Sequence, residues 1–242
     1  MKMDNTVTFY IVRHGKTLMN TLEHVQGWCD SPLTEEGKEV AAFLGAGMKG
    51  IEFESAYSSD LRRTSTTAKI ILTELGQTNL QITEMEEFRE ACFGRYESRP
   101  NMKMWYDASL YLHYTDPERM YKDVLEKKIS NSDILNAVAE LDNLGLAENF
   151  EKVEARTHKG LRTIAEKEVR KGKDVNILLV SHGMSITCML QNMGGRELMK
   201  THLDNASVCK VTYKDGRFTV NSMGDMSFVE QGRKIKHQDQ TK

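Results

Sequence analysis

Two stretches of the chain decide the fold: Val7-Thr8-Phe9-Tyr10-Ile11-Val12 followed by Arg13-His14-Gly15, and Val175-Asn176-Ile177-Leu178-Leu179-Val180 followed by Ser181-His182-Gly183. Each begins with a short, nearly continuous run of β-prone apolar residues, which is typical of a parallel strand buried on both faces. Because open α/β sheets bind ligands at the carboxyl edge of their strands, we expect His14 and His182 to face one site. A paired-histidine site for a small anion is the first hypothesis.

The composition limits the class of protein and its partners. The chain has 242 residues, of which 39% are hydrophobic and 28% charged, so we expect one globular domain over residues 1–242 with a sizeable core. The formal charge of −2 argues against a nucleic-acid or acidic-membrane partner. No apolar run has the length of a membrane span, and Met1–Asn5 leave no room for a signal peptide, so a cytoplasmic location is expected.

The cysteines carry no sign of a metal site or a disulfide framework. Cys29, Cys92, Cys188 and Cys209 are scattered, with no Cys-x-x-Cys pair and no histidine at metal-ligand spacing. We therefore expect reduced thiols, no metal and no cofactor. The oligomeric state is left open.

Turn and capping signals divide the rest of the chain into predicted elements. One predicted helix begins at Thr34, and three others span Leu61–Leu75, Ala147–Lys171 and Ile186–Met193. The predicted strands are Phe53–Ser58 and Leu80–Ile82, and a predicted hairpin joins Cys209–Tyr213 to Arg217–Val220. Between Arg95 and Gly145 the chain is rich in aromatic residues and methionine without a convincing strand, which predicts a helical insertion. The charged tail after Gly232 is expected to fray.

The chemistry of a histidine at a strand end favours phosphoryl transfer. The unperturbed pKa of histidine, near ~6.5, leaves an unprotonated ring nitrogen at neutral pH, so His14 can attack phosphorus and form a phosphohistidine. The transferred group then needs cations around its oxygens, for which Arg13 and Arg63 are the candidates. Arg63 also lies at the start of a predicted helix, where the N-terminus favours anions. Glu90 is the candidate donor of the proton that the leaving oxygen requires.

Five motifs follow one another in order between Phe9 and Val220. They are Arg13-His14-Gly15-Lys16-Thr17 with Asn20 and Pro32-Leu33-Thr34, Ser58-Ser59-Asp60-Leu61-Arg62-Arg63, Arg89-Glu90 with Phe93-Gly94, Val180-Ser181-His182-Gly183, and Asn205-Ala206-Ser207. Together they resemble the motifs of the histidine phosphatase superfamily, also called phosphoglycerate mutase-like. The resemblance implies a three-layer α/β/α sandwich with a mostly parallel central sheet.

The resemblance also implies roles for individual residues. His14 is the expected nucleophile, Glu90 the expected proton donor, and no metal is needed. The expected phosphate contacts are Arg13, Arg63, His182, Asn20 and Gly183. Gln26 and Gly27, in the loop after the first strand, are candidate substrate contacts.

Three functions remain in view. The superfamily contains phosphatases, bisphosphoglycerate-dependent mutases and members that bind without catalysis. In the classical mutases the third motif typically reads Glu-Arg-His-Tyr-Gly and is followed by paired arginines, whereas this chain has Arg89-Glu90-Ala91-Cys92-Phe93-Gly94 and no Arg-Arg pair in the insertion. These departures favour a phosphatase acting on a small phosphorylated metabolite. A mutase is the alternative, and a non-catalytic binding module is disfavoured because His14 and Glu90 are both present.

Other chemical features have structural interpretations. The remaining histidines are expected to be structural: His24, His113, His158, His202 and His237. Cys92, beside the third motif, is expected to be a buried and inert thiol. The chain has neither a Gly-x-Ser-x-Gly elbow nor a phosphate-binding Gly-x4-Gly-Lys loop. The Trp, Tyr and Met cluster at 102–121 either lines a pocket for an apolar part of the substrate or forms the core of the insertion.

Overall fold

A computed structural model describes residues 5–198 and 202–240, and within them six strands form a single sheet. The strands are β1 Val7–Arg13, β2 Ser55–Ser58, β3 Ile82–Glu84, β4 Val175–Ser181, β5 Val208–Lys214 and β6 Arg217–Asp225. Most of the N-terminal segment on which the expectation about a signal peptide rests lies outside the described residues.

The strand order is β3-β2-β4-β1-β5-β6, and the first four of these strands are parallel. The hairpin of β5 and β6 adds two antiparallel pairings at one side. β1 and β4 are neighbours in a register that pairs Arg13 with Ser181. The residues that follow these two strands, His14 and His182, therefore come side by side at the carboxyl edge of the sheet.

Helices cover both faces of the sheet. They are α1 Leu18–Thr21, α2 Glu35–Gly47, α3 Arg62–Glu74, α4 Asn101–Tyr111, α5 Pro117–Leu125, α6 Asn131–Leu141, α7 Phe150–Val169, α8 Gly183–Leu190, α9 Arg196–Leu198 and α10 Ser227–Gln240. On one face Phe9 and Ile11 of β1 pack in a buried cluster with α7 and α8. On the other face Tyr10 and Val12 pack with α2, α3 and α10. The predicted α/β class, with helices on both faces of a mostly parallel sheet, is confirmed.

The segment between residues 95 and 145 carries α4, α5 and α6, in agreement with a helical insertion. Its own buried cluster includes Met104, Met120, Leu135 and Val138 and extends to Phe150 of α7. Among the described residues, no helix is long and apolar enough to cross a membrane.

The predicted frayed tail is wrong. Residues after Gly232 continue α10, which runs from Ser227 to Gln240 and packs along α2. The two helices approach closely at glycines: a Cβ on Gly47 would lie 1.8 Å from the Phe228 carbonyl oxygen, and one on Gly232 would lie 1.8 Å from that of Phe43. Gly232 is therefore a contact point between helices and not the end of ordered structure.

Several predicted boundaries move by a few residues. α8 begins at Gly183, three residues before the predicted start at Ile186, and the chain kinks after it at Gly194, whose φ of 93° is not helical. The second strand begins at Ser55, and the third lies at Ile82–Glu84, slightly beyond its predicted position.

Candidate active site

His14 and His182 meet at the carboxyl ends of β1 and β4. Their ring centroids are 5.2 Å apart at an interplanar angle of 65°. The side chains are buried, with 4% of His14 and none of His182 exposed. The His14 N–H donates to the Ser181 carbonyl at 3.0 Å, so the backbone pairing of the two strands continues into the site.

The hydrogen bonds of His14 define which ring nitrogen can react. Its Nδ1 lies 2.8 Å from the Gly15 carbonyl oxygen, and because a carbonyl only accepts, Nδ1 carries the proton. The lone pair is then on Nε2. Burial, and then the positive charges of Arg63 and Arg13, lower the pKa of His14 well below 6.5. At neutral pH the imidazole is an uncharged nucleophile.

His182 is held in the opposite tautomer. Arg63 Nε donates to its Nδ1 at 3.1 Å, so the proton of His182 is on Nε2, which donates to Ser59 Oγ at 2.8 Å. Burial and the neighbouring charge of Arg63 lower the pKa of His182 well below 6.5. Both ring nitrogens are thus engaged by protein groups.

Arg63 lies in the first turn of α3 and is buried in the site. Its guanidinium is 1% exposed and engages all five of its N–H donors within the protein. Besides His182 they reach the carbonyls of Gln26, Gly27 and Cys29 and the carboxylate of Asp30. A phosphate contact by Arg63 requires exchange of one of these bonds, of which that to the Gln26 carbonyl is the longest at 3.4 Å.

Arg13, unlike Arg63, has a guanidinium N–H group that is available to a bound anion. Its Nε is buried and has no hydrogen-bond partner among the described residues, while another guanidinium nitrogen donates to the Leu203 carbonyl. Gly183 lies against this side chain, since a Cβ there would come within 3.3 Å of Arg13 Nε. A buried donor without a partner is unfavourable, so an anionic oxygen in front of Arg13 would stabilise this arrangement.

Glu90 is fixed at the N-terminus of α8. One carboxylate oxygen accepts from the backbone N–H groups of Ala91 at 2.9 Å and Ser185 at 2.7 Å, and the other accepts from Met184 at 3.1 Å. The side chain is 7% exposed. Both oxygens are therefore held in a defined direction beside Arg13.

The backbone around Glu90 is held by Arg156, which forms an ion pair with Glu148. Arg156, on α7, donates to the carbonyls of Glu87, Arg89 and Glu90 at 2.7–2.9 Å. It also forms two 2.8 Å hydrogen bonds with Glu148, whose carboxylate accepts from the Cys92 N–H. Arg156 is thus positioned to set the path of the chain on both sides of Glu90.

We expect Arg156→Met to lower the free energy of unfolding by about 3 kcal/mol, because it removes charge-assisted hydrogen bonds and leaves Glu148 without its partner. With Glu90 as the proton donor that the motifs imply, turnover of alkyl phosphates should fall more than turnover of aryl phosphates, because a misplaced donor slows the reaction most where the leaving group is poor. Urea unfolding and parallel assays of both substrate classes measure the two effects. Arg162→Met, on the exposed face of α7, is the control. Equal slowing of both substrate classes would limit Arg156 to a role in stability.

The other predicted contacts shape the loop after β1. Asn20 Oδ1 accepts from the Thr17 N–H at 3.1 Å in a capping box on α1. Gln26 bonds Thr17 Oγ1 at 2.6 Å and Ser31 Oγ at 3.0 Å, so its side chain is engaged within the loop. The Gly27 N–H donates to the Glu97 carboxylate at 3.1 Å.

Four residues of the site were missed by sequence reasoning. Glu97 accepts from the N–H groups of Gly27, Trp28, Cys29 and Phe93 and so fixes the loop whose carbonyls hold Arg63. The others are Trp28, whose indole donates to the Glu90 carbonyl, Ser59 and Arg156. Ser59 stands in the second motif and could have been found there, whereas the other three have no local sequence signal.

The buried histidines predict a loss of stability in mild acid. Their pKa values are lowered in the folded state, so below about pH 6.5 the unfolded chain takes up protons that the folded chain does not. The free energy of unfolding should fall by about 2–3 kcal/mol between pH 7.5 and 5.5 for the two groups together. Urea titrations across this range measure the slope, and His14→Ala should remove about half of it. A flat profile would show that the folded protein protonates both rings.

Comparison with known proteins identifies the family of the chain. A model of the histidine phosphatase superfamily (branch 1) matches residues 9–226. The chain belongs to this superfamily, and the resemblance seen in its motifs is confirmed.

Individual relatives extend over nearly the whole chain. The crystal structure of phosphoglycerate mutase from Bacillus anthracis str. Sterne has a TM-score of 0.89 and 37% identity, covering 95% of this chain and 98% of that one. A protein named "Probable phosphoglycerate mutase GpmB" from Yersinia pestis (strain Pestoides F) is 29% identical over 229 residues, which are 91% of this chain and 94% of the relative. Phosphoserine phosphatase from Entamoeba histolytica, solved with 3-phosphoglyceric acid, shares the fold at 21% identity and a TM-score of 0.67, with 92% and 99% coverage.

Proposed function

We propose that the protein is a cytoplasmic phosphatase that hydrolyses small phosphate monoesters through a phosphohistidine on His14. The observation that carries the proposal is the neutral His14 ring, with its lone pair on Nε2, near the fixed carboxyl group of Glu90 and near Arg13 Nε, which has no partner among the described residues. A nucleophile, an anion-binding cation and a proton donor are the groups that this chemistry requires.

The reaction has two steps. His14 Nε2 attacks phosphorus, the ester P–O bond breaks, and Glu90 donates a proton to the leaving oxygen. A water molecule then attacks the phosphohistidine and gives its proton to Glu90 as the N–P bond breaks and inorganic phosphate leaves. Arg13 stabilises the phosphoryl oxygens, and Arg63 holds His182 and the 26–30 loop around them.

Phosphoglycerate mutase activity is the second candidate, because relatives of 29% and 37% identity carry that name. A mutase would form the same phosphohistidine and return the phosphoryl group to a second hydroxyl. Hydrolysis is favoured here by the third motif, Arg89–Gly94, and by the lack of an Arg-Arg pair in residues 95–145. Incubation with 3-phosphoglycerate, with and without 2,3-bisphosphoglycerate, separates the two: phosphate release supports hydrolysis, and conversion to 2-phosphoglycerate with little release supports the mutase.

Hydrolysis should not depend on a metal ion. The proposed charge-stabilising groups belong to the protein, and among the described residues no cluster of three His, Cys, Asp or Glu side chains is suited to holding a metal. Thorough EDTA treatment followed by gel filtration should change the rate of phosphate release less than twofold. Loss of activity that added Mg²⁺ or Zn²⁺ restores would contradict the mechanism.

A further inference from the structure

A cavity of about 250 Å³ joins the candidate active site to the helical insertion. Arg13, Glu90 and Gly183 line it on the side of the sheet, and Trp105 and Tyr121 line it on the side of the insertion. The two rings meet edge to face, with centroids 6.3 Å apart. Two members of the aromatic cluster at 102–121, Trp105 and Tyr121, therefore line a cavity beside the candidate catalytic residues.

The lining of the cavity is largely apolar and partly exposed to solvent. The apolar side chains that line the cavity include Trp105, Tyr121, Val124, Leu125, Ile129 and Leu203. Tyr121 is 42% exposed and Leu125 is 44% exposed, so apolar surface remains for a bound molecule to cover. Covering such surface is favourable in proportion to the area removed from water.

Most of the uncharged polar side chains that line the cavity already form hydrogen bonds with other protein groups. Ser130 caps the N-terminus of α6. Thr187 donates to the Gly183 carbonyl at 2.9 Å, and Gln191 donates to Ser132 Oγ at 3.3 Å. Asn131 and His202 complete the uncharged polar lining, and His202 Nε2 lies 3.3 Å from Asp204 Oδ1. A substrate rich in hydroxyl groups would find few uncommitted partners here, and buried hydroxyls without partners are costly.

The charged residues that line the cavity favour anionic ligands. Lys127 and Arg196 line the cavity together with Arg13, whereas Glu90 is the acidic residue of the described lining. Arg196 donates to the Lys127 carbonyl at 3.0 Å and Lys127 to the Glu197 carbonyl at 3.2 Å, which ties the turn after α5 to α9. The net positive potential would attract a phosphate ester without requiring polar groups on its alcohol.

We propose that this cavity binds the alcohol part of the substrate, and that the preferred substrates are phosphate monoesters whose alcohol carries an apolar chain or ring. The proposal rests on the phosphatase function proposed above. It assigns specificity to the insertion, with Tyr121 as a specificity-determining residue.

Unbranched alkyl phosphates from ethyl to hexyl provide the test, because their leaving groups are chemically alike and only the apolar length changes. We expect kcat/KM to rise about two- to fourfold per methylene until the cavity is filled. Glycerol phosphate and 3-phosphoglycerate should be poorer substrates than butyl phosphate. Tyr121→Ala should lower the hexyl-to-ethyl ratio of kcat/KM about fivefold, whereas Tyr106→Ala, equally exposed at 47% but outside the lining, should leave the ratio unchanged.

The outcomes separate this proposal from the proposed function. Phosphate release without a chain-length gain, or with glycerol phosphate preferred over hexyl phosphate, overturns the substrate class and leaves the phosphatase intact. Alkylphosphonates titrated into His14→Ala measure binding without turnover. A chain-length gain in that titration with no hydrolysis by the wild type would support the apolar site and overturn the phosphatase. No gain in either measurement overturns the apolar site.

Discussion

His14→Ala is expected to abolish covalent phosphorylation and to reduce phosphate release by at least about 10³-fold, because it removes the atom that we propose attacks phosphorus. His182 is not placed to substitute, since Arg63 and Ser59 occupy both of its ring nitrogens. Rapid acid or base quenching after mixing with a ³²P-labelled substrate measures the intermediate. The wild type should carry an acid-labile, base-stable label on His14, and the variant should carry none.

His237→Ala is the matched control, because His237 lies on α10 and its ring packs near Phe43 of α2, in a helical layer away from the site. It should retain both label and turnover. Label recovered on a serine, an aspartate or a cysteine of the wild type would overturn the assignment. A His14→Ala protein that still turns over within tenfold of the wild-type rate would do the same.

The pairing of His14 with His182 could be predicted because its causes are local and strong. Each histidine follows a β-prone apolar run that is typical of a buried strand, and parallel neighbours bring their carboxyl ends to the same edge. The tautomers were not predictable in this way. They depend on which partner meets each nitrogen, and the Gly15 carbonyl and Arg63 Nε are seen only in three dimensions.

The loop that holds Arg63 shows why the rest of the site escaped prediction. Most of its contacts with Arg63 are backbone carbonyls, which every residue possesses, so no residue type in the 26–30 segment marks them. Glu97, which fixes this loop, is separated from it by about seventy residues. The second motif places Arg63 in the site, but no local feature of the sequence indicates that the protein itself satisfies its donors.

The start of α8 illustrates the same limit. Helix prediction looks for a capping side chain next to the first turn, and His182 makes no such contact. Glu90, more than ninety residues earlier, accepts from the N–H groups of Met184 and Ser185 instead. A cap supplied from a distant segment is invisible to local rules, which placed the helix start at Ile186. The same contact attaches Glu90 to the strand end that carries His182.

Glu90→Gln is expected to slow hydrolysis of alkyl phosphates by about 10²- to 10⁴-fold, and that of activated aryl phosphates much less. An alkoxide is a poor leaving group and needs the proton that the carboxyl group supplies, whereas an aryl oxide leaves without much help. Steady-state phosphate release from hexyl phosphate and 4-nitrophenyl phosphate measures the two classes.

The contrast between leaving groups is essential, because the amide that Glu90→Gln introduces also perturbs the structure. Its NH₂ group would face a backbone N–H of Ala91, Met184 or Ser185, where each wild-type oxygen accepts. A disturbance of the surrounding backbone without loss of a proton donor would slow both substrate classes equally, and that result would remove Glu90 from the role of proton donor. Glu87 lies on the same short segment as Glu90 and forms an ion pair with Lys159 of α7. Glu87→Gln should slow neither substrate class. Selective slowing of alkyl phosphates by Glu90→Gln alone would therefore identify the carboxyl group as the proton donor.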